Sequence, residues 1–143
     1  MDRDEQARRR VADIAAHDPF ARSLGIEGAS GGFGRATVSL KVSREHLNFN
    51  GTCHGGVIFA LADTAFGLAA NSHGAVAAGI DAHITYQVAL QAGDVLTANA
   101  IEITRSRRLG VYRVDVTRAD GTPVSSFTGT VYVTSQPHDA KHT

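Results

Sequence analysis

The chain has 143 residues, with 14 Lys+Arg balanced by 14 Asp+Glu and 43% hydrophobic residues. That suffices for one domain with a real core, and it provides no overall field for nucleic acid or an anionic membrane. A single cysteine, Cys53, excludes an internal disulfide and a cysteine-rich metal site.

The N-terminus, MDRDEQARRRVADIAAHD, has no apolar leader region, and no run in the chain reaches the roughly 18 apolar residues of a membrane span. The expectation is a cytoplasmic protein with no membrane and no nucleic-acid partner. Ala7, Val11, Ile14 and Ala15 recur at helical spacing, with Arg8, Arg9 and Arg10 turned to water. This predicts an N-terminal amphipathic helix within residues 1–19, broken at Asp18-Pro19, with Phe20 and Leu24 tucked onto the domain. From Leu24 to Val42 the period changes to two, in Ala36, Val38, Leu40 and Val42, around a glycine-rich turn GASGGFG. That turn has neither the Walker lysine nor the GxGxxG spacing of a phosphate loop.

A polar loop, Asn48 to Gly56, then opens into about four turns of nearly unbroken apolar residues ending at Asn71. Asn71-Ser72-His73-Gly74 supplies the stop. Strands follow over residues 75–88, 94–109, 110–118 and 123–135, the last two joined by the turn Ala119-Asp120-Gly121-Thr122. Residues 136–143 read as a tail. This order predicts an α+β fold in a single domain over residues 1–143, an antiparallel sheet wrapped around one long central helix.

Asp63 is the anomaly in that helix. A helix apolar all round belongs inside a protein, where an ionised carboxylate is costly unless paired or put to use. Ala60 and Gly67 flank it at helical spacing and leave room for something to approach. Gly55 and Gly56 open the helix, where the first N–H groups lack intrahelical partners and can meet an oxyanion.

The stretch HLNFNGTCHGGVIFALADTAFGLAANS, residues 46–72, resembles the hotdog-fold thioesterases, and among them the phenylacetic-acid-degradation type that hydrolyses acyl-coenzyme A esters. An Asn before the loop, a following HGG and an Asp eight positions after its first glycine carry the resemblance. It implies that Asp63 is the catalytic carboxylate, Asn48 the loop Asn, and Gly55 the donor of the N–H that polarises the thioester carbonyl, with His54 beside it. Some relatives place a Ser or Thr on the strand after the helix to help hold the water; the aligned position here is Gly79. Acyl-CoA is the implied substrate, and the implied assembly is a homodimer paired into a homotetramer. No cofactor is expected. No metal is expected either, since the histidines lack ligand spacing.

Along one helix Gly55 and Asp63 lie about 12 Å apart, whereas a nucleophile and an oxyanion donor must both reach one carbonyl at roughly 3 Å. If both act on one thioester, Asp63 comes from a second copy, which implies a two-fold dimer. Gly56, Phe59 and Phe66 are candidates to line the acyl pocket. Arg107 and Arg108, in the densest basic run, are candidates for the phosphates of coenzyme A. The competing reading is a non-catalytic acyl-CoA binding protein on the same scaffold, which would not need Asp63. A serine hydrolase is disfavoured because no GxSxG elbow is present.

Overall fold

The computed structural model describes residues 1–138. Its elements in chain order are helices α1 (Arg3–Ala16) and α2 (Pro19–Leu24), strands β1 (Glu27–Gly32) and β2 (Arg35–Lys41), helix α3 (Gly55–Asn71), and strands β3 (Ala75–Tyr86), β4 (Val95–Arg105), β5 (Leu109–Arg118) and β6 (Pro123–Pro137). One antiparallel sheet holds all six strands in the order β1-β2-β4-β5-β6-β3. It curls around α3, which is the hotdog fold expected of an apolar helix that needs a sheet face to bury it.

Period-two patterning decides which face packs. Tyr112, Val114 and Val116 of β5 are fully buried, as are Leu96 and Ala98 of β4 and Phe127 and Val131 of β6 to within 1%. They meet Ile58, Leu61, Ala62, Ala65, Phe66 and Ala69 of α3. The aromatic centre of this core needs two bare backbones. A Cβ on Gly129 would lie 2.7 Å from Cζ of Phe66, and one on Gly79 would lie 3.0 Å from its Cε2. Gly129→Ala is therefore an overpacking substitution, expected to destabilise by about 1–3 kcal/mol in urea unfolding. A loss below about 0.5 kcal/mol would show that the Phe66 ring moves aside freely.

Both ends of α3 are tied down. At its start His54 is the N-cap, its Nδ1 accepting the Gly56 N–H at 2.8 Å. At its end Asn71 donates from Nδ2 to the Gly67 and Ala77 carbonyls and accepts the Ala77 N–H. Arg105 donates to the Ala70 carbonyl and Arg10 to the Ser72 carbonyl. Gly74 follows at φ +108°, a conformation that favours glycine.

Several sequence expectations are corrected. Only Phe33 and Gly34 turn between β1 and β2, and the glycines before them lie in β1. Any side chain on Gly32 would collide with the Arg35 guanidinium, which folds across it to reach Asp4. Strand β4 ends at Arg105, and residues 106–108 form a turn closed by the Ser106 N–H on the Leu109 carbonyl. Strand β6 runs through Pro137, and the His138 N–H bonds the Gly74 carbonyl. Positions 136 to 138 are therefore not tail, and the rest of that segment lies outside the described residues. Phe20 does not tuck in; it is 62% exposed. Arg10 is drawn from water to the α3 terminus. The N-terminal segment holds two helices, because Asp18 caps the second one by accepting the Ala21 N–H with Pro19 in its first turn.

Candidate active site

The loop ahead of α3 is built by side-chain caps. Asn48 Oδ1 accepts the N–H groups of Asn50 and Thr52 and the Thr52 hydroxyl, the local bonding by which Asn shapes a turn. Its Nδ2 donates to nothing among the described residues. Buried His46 accepts the Ser43 N–H on Nδ1 and bonds the Leu24 carbonyl through Nε2, so its ring pins the loop to α2. The His54 N–H bonds the His46 carbonyl and the Cys53 N–H the Leu90 carbonyl. Cys53 itself is buried, and that burial pushes its thiol up to about 11, away from thiolate chemistry.

The result is a fixed launch for α3. The Gly56 N–H is used by His54, whereas the Gly55 N–H donates to no group among the described residues. Tyr86 stands over it, since a Cβ on Gly55 would sit 3.3 Å from Cζ of that ring. A bare peptide edge beside a half-exposed tyrosine at a helix N-terminus can receive developing negative charge.

Asp63 is exposed in the isolated chain, not hidden as the letters imply. The sheet covers one side of α3 and leaves a stripe of Gly56, Phe59, Asp63, Gly67 and Asn71 partly or fully open. No Lys, Arg or His pairs with the Asp63 carboxylate among the described residues. It lines a cleft of about 240 Å³ with Ile14, Asp18, Phe20, Ala60 and Gly67. Desolvation by these neighbours holds its pKa above the ordinary carboxylate range, and the negative charge of Asp18 raises it further.

The remaining candidates divide. Phe59 is half-buried, edge-on to Phe127 at 5.5 Å, with part of its ring on the open stripe. Phe66 is 2% exposed and packed between Tyr112 and Phe127; it is core. Gly79, the aligned Ser/Thr position, serves that ring. Arg107 is exposed on the β4–β5 turn, while Arg108 spends one Nη on the Val133 carbonyl. Their neighbour Arg105 contacts Ala70, so within one chain the basic turn stands at the far end of α3, roughly 22 Å from Gly55. Asp18 is the site neighbour that sequence reasoning missed. An Asp followed by Pro is a helix N-cap signature, but nothing in the letters places that cap beside Asp63.

In sequence and fold the chain is similar to known proteins. The Thioesterase superfamily pattern covers residues 50–125. The chain is 42% identical over 99 residues to a putative esterase of Archaeoglobus fulgidus; the match covers 69% of this chain and spans 64% of that relative, just under two thirds of its length. To the acyl-coenzyme A thioesterase PaaI of Escherichia coli it is 37% identical over 113 residues, covering 79% of this chain and 81% of PaaI. The structure of that protein, from the phenylacetic acid degradation operon, superposes with a TM-score of 0.91 over 95% of this chain and 99% of the other at 32% identity. A hypothetical thioesterase of Streptococcus pneumoniae, solved with coenzyme A, superposes with a TM-score of 0.72 at 34% identity, over 79% of this chain and 87% of the other. The chain belongs to the thioesterase superfamily of enzymes, in its hotdog-fold form.

Proposed function

We propose that this chain hydrolyses acyl-coenzyme A thioesters to the free acid and coenzyme A, using Asp63 of one subunit and the Gly55 N–H of its two-fold partner. The observation that carries the reading is a pair of groups on α3 that have no partner among the described residues: an Asp63 carboxylate with no cation and a Gly55 amide with no acceptor, about 12 Å apart along one axis. One helix cannot bring both to a single carbonyl, and two antiparallel copies can.

The β3 edge supports the dimer. It is a twelve-residue strand at one side of the sheet, paired with β6 on one edge and with no strand of the described residues on the other, exposing Ile80 (61%) and Tyr86 (49%), and a long edge of that kind is a template for pairing with another chain. Pairing there sets the two open α3 stripes face to face. The outer sheet face, with Ile101, Ile103 and Tyr132 exposed, supports further association into a homotetramer.

In the chemistry, the Asp63 carboxylate removes a proton from water as the oxygen attacks the thioester carbon, and the oxyanion settles on the Gly55 N–H. Collapse of the intermediate breaks the C–S bond. The thiol of coenzyme A ionises near 8.5 if it behaves like a cysteine side chain, so it leaves as thiolate without an acid. Direct attack by Asp63 would give an anhydride that water then opens. Asn48 Nδ2 orients the water or the thioester, His54 holds the loop, and the Arg107 and Arg108 turn meets phosphate of the coenzyme. The acyl group is an aryl-acetyl or hydroxylated aryl-acetyl, a choice supported by the likeness to PaaI. Among the described residues no helix is long and apolar enough to cross a membrane, and this reading places the enzyme in the cytoplasm.

Mixing two inactive subunits tests the shared site. In a dimer of Asp63→Asn with Gly55→Pro, one site carries both lesions and the other carries none. Random reassembly should restore about a quarter of wild-type hydrolysis. Sites contained within one subunit would restore nothing, and that result would end the proposal.

A further inference from the structure

An oxyanion is held best by more than one donor, and the opening turn of α3 offers only one. The Gly56 N–H, next along the helix, is taken by His54 Nδ1, which leaves the Gly55 N–H alone on that edge. The side chain nearest to it is Tyr86. A Cβ on Gly55 would lie 3.3 Å from Cζ and 3.5 Å from the hydroxyl oxygen of that ring. Standard backbone dimensions put the Gly55 nitrogen about 2.5 Å from the same point, so the two donors lie within about 6 Å of each other, a limit reached only if the three atoms are collinear. One oxygen accepting two hydrogen bonds of about 2.9 Å spans donors up to about 5.8 Å apart.

We propose that the Tyr86 hydroxyl is a second oxyanion donor, meeting the thioester oxygen together with the Gly55 N–H of its own subunit. The inference rests on the thioesterase reading and deepens it by adding a catalytic residue. The hydroxyl bonds no group among the described residues, so no partner has to be given up when the substrate arrives. The end of β3 that carries it is held in place: Tyr86 stands opposite Ser125 in β6, the Gln87 N–H bonds the Val124 carbonyl at 2.8 Å, and the Ser125 hydroxyl donates to the Thr85 carbonyl at 2.7 Å. A donor fixed before the reaction begins stabilises charge as it develops. As water attacks, the carbonyl electron pair moves onto oxygen and Tyr86 donates a hydrogen bond while keeping its proton. The pair returns as the C–S bond breaks.

Tyr86→Phe in the full-length protein removes one oxygen and keeps the ring. It should lower kcat on phenylacetyl-CoA about a hundredfold with KM within about threefold of wild type. Tyr86→Leu should fall no more than about threefold below the Phe variant, because the hydroxyl acts and the ring does not. Subunit mixing locates the group. With Asp63→Asn subunits, Tyr86→Phe should recover about a quarter of wild-type hydrolysis, since one site of the mixed dimer is intact; with Gly55→Pro subunits it should recover nothing, since each site then carries one lesion. The reverse pattern, a Phe variant at the wild-type rate, or a loss confined to KM each overturns the role of Tyr86 and leaves the thioesterase reading standing. A wild type that releases no thiol from any acyl-CoA ester overturns that reading itself.

Discussion

Asp63→Asn should leave the protein folded and lower kcat on its best acyl-CoA ester by about 10²–10⁴, the contribution of a positioned general base. The amide has nearly the shape of the carboxylate but cannot take a proton from water or attack a thioester. In the wild type the acid limb of the kcat/KM profile should lie above the 3.8 of an unperturbed carboxyl, because desolvation and Asp18 favour the neutral form. Stability should move the other way. A carboxyl whose folded pKa exceeds its unfolded one loses stability as pH rises through that interval, and the penalty persists above it. The Asn variant should accordingly melt no lower than wild type at pH 7, with any advantage vanishing below the unfolded pKa. Thiol release followed with a chromogenic disulfide, beside a thermal melt, checks both. Unchanged hydrolysis would sink the role of Asp63, whereas no thiol release from the wild type on any ester would favour a non-catalytic acyl-CoA binder.

Gly55→Pro isolates one hydrogen. Proline suits the first position of a helix, where its missing N–H leaves no intrahelical bond unmade. The residue before it must be extended, and His54 already is, at φ −63° and ψ 135°. The variant should keep α3 and lose about 10²–10³ in kcat, the effect of deleting one oxyanion donor. Gly55→Ala is the control. It retains the N–H and only presses Tyr86, whose half-exposed ring can yield, so it should stay within about tenfold of wild type. Equal losses in the two variants would assign the effect to crowding by the new side chain and remove Gly55 from the mechanism.

The sheet was largely legible in the letters because alternation is a direct record of which side faces the core. Val111, Arg113, Asp115 and Thr117 against Tyr112, Val114 and Val116 predicts the inward face of β5 that the structure buries. The long helix was legible for the same reason, as was its start at Gly55. What covers each side of that helix was not. Hydropathy says that Phe59, Asp63 and Phe66 share a greasy segment, but only the fold puts Phe66 under Gly79 and Gly129 and leaves Asp63 on the open stripe. The β4–β5 turn was missed because Arg105 to Leu109 carries no Gly, Pro, Asn or Asp to punctuate it. Asn48 was read toward substrate; its Oδ1 serves the loop, and its Nδ2 alone is left to act outward. The half-open space between α1, α2, β1 and α3 depends on how the two N-terminal helices lie against β1, which no local pattern encodes.

Arg10 and Arg105 sit at the carboxyl-terminal end of α3, where their cations meet the negative pole of the helix. No acidic residue occupies its first turn, and the cap there is an imidazole whose Nδ1 serves as acceptor. One pole is thus neutralised from outside while the other stays unquenched. Any electron-rich atom drawn up to the opening turn would feel a standing positive potential already in place before the reaction begins.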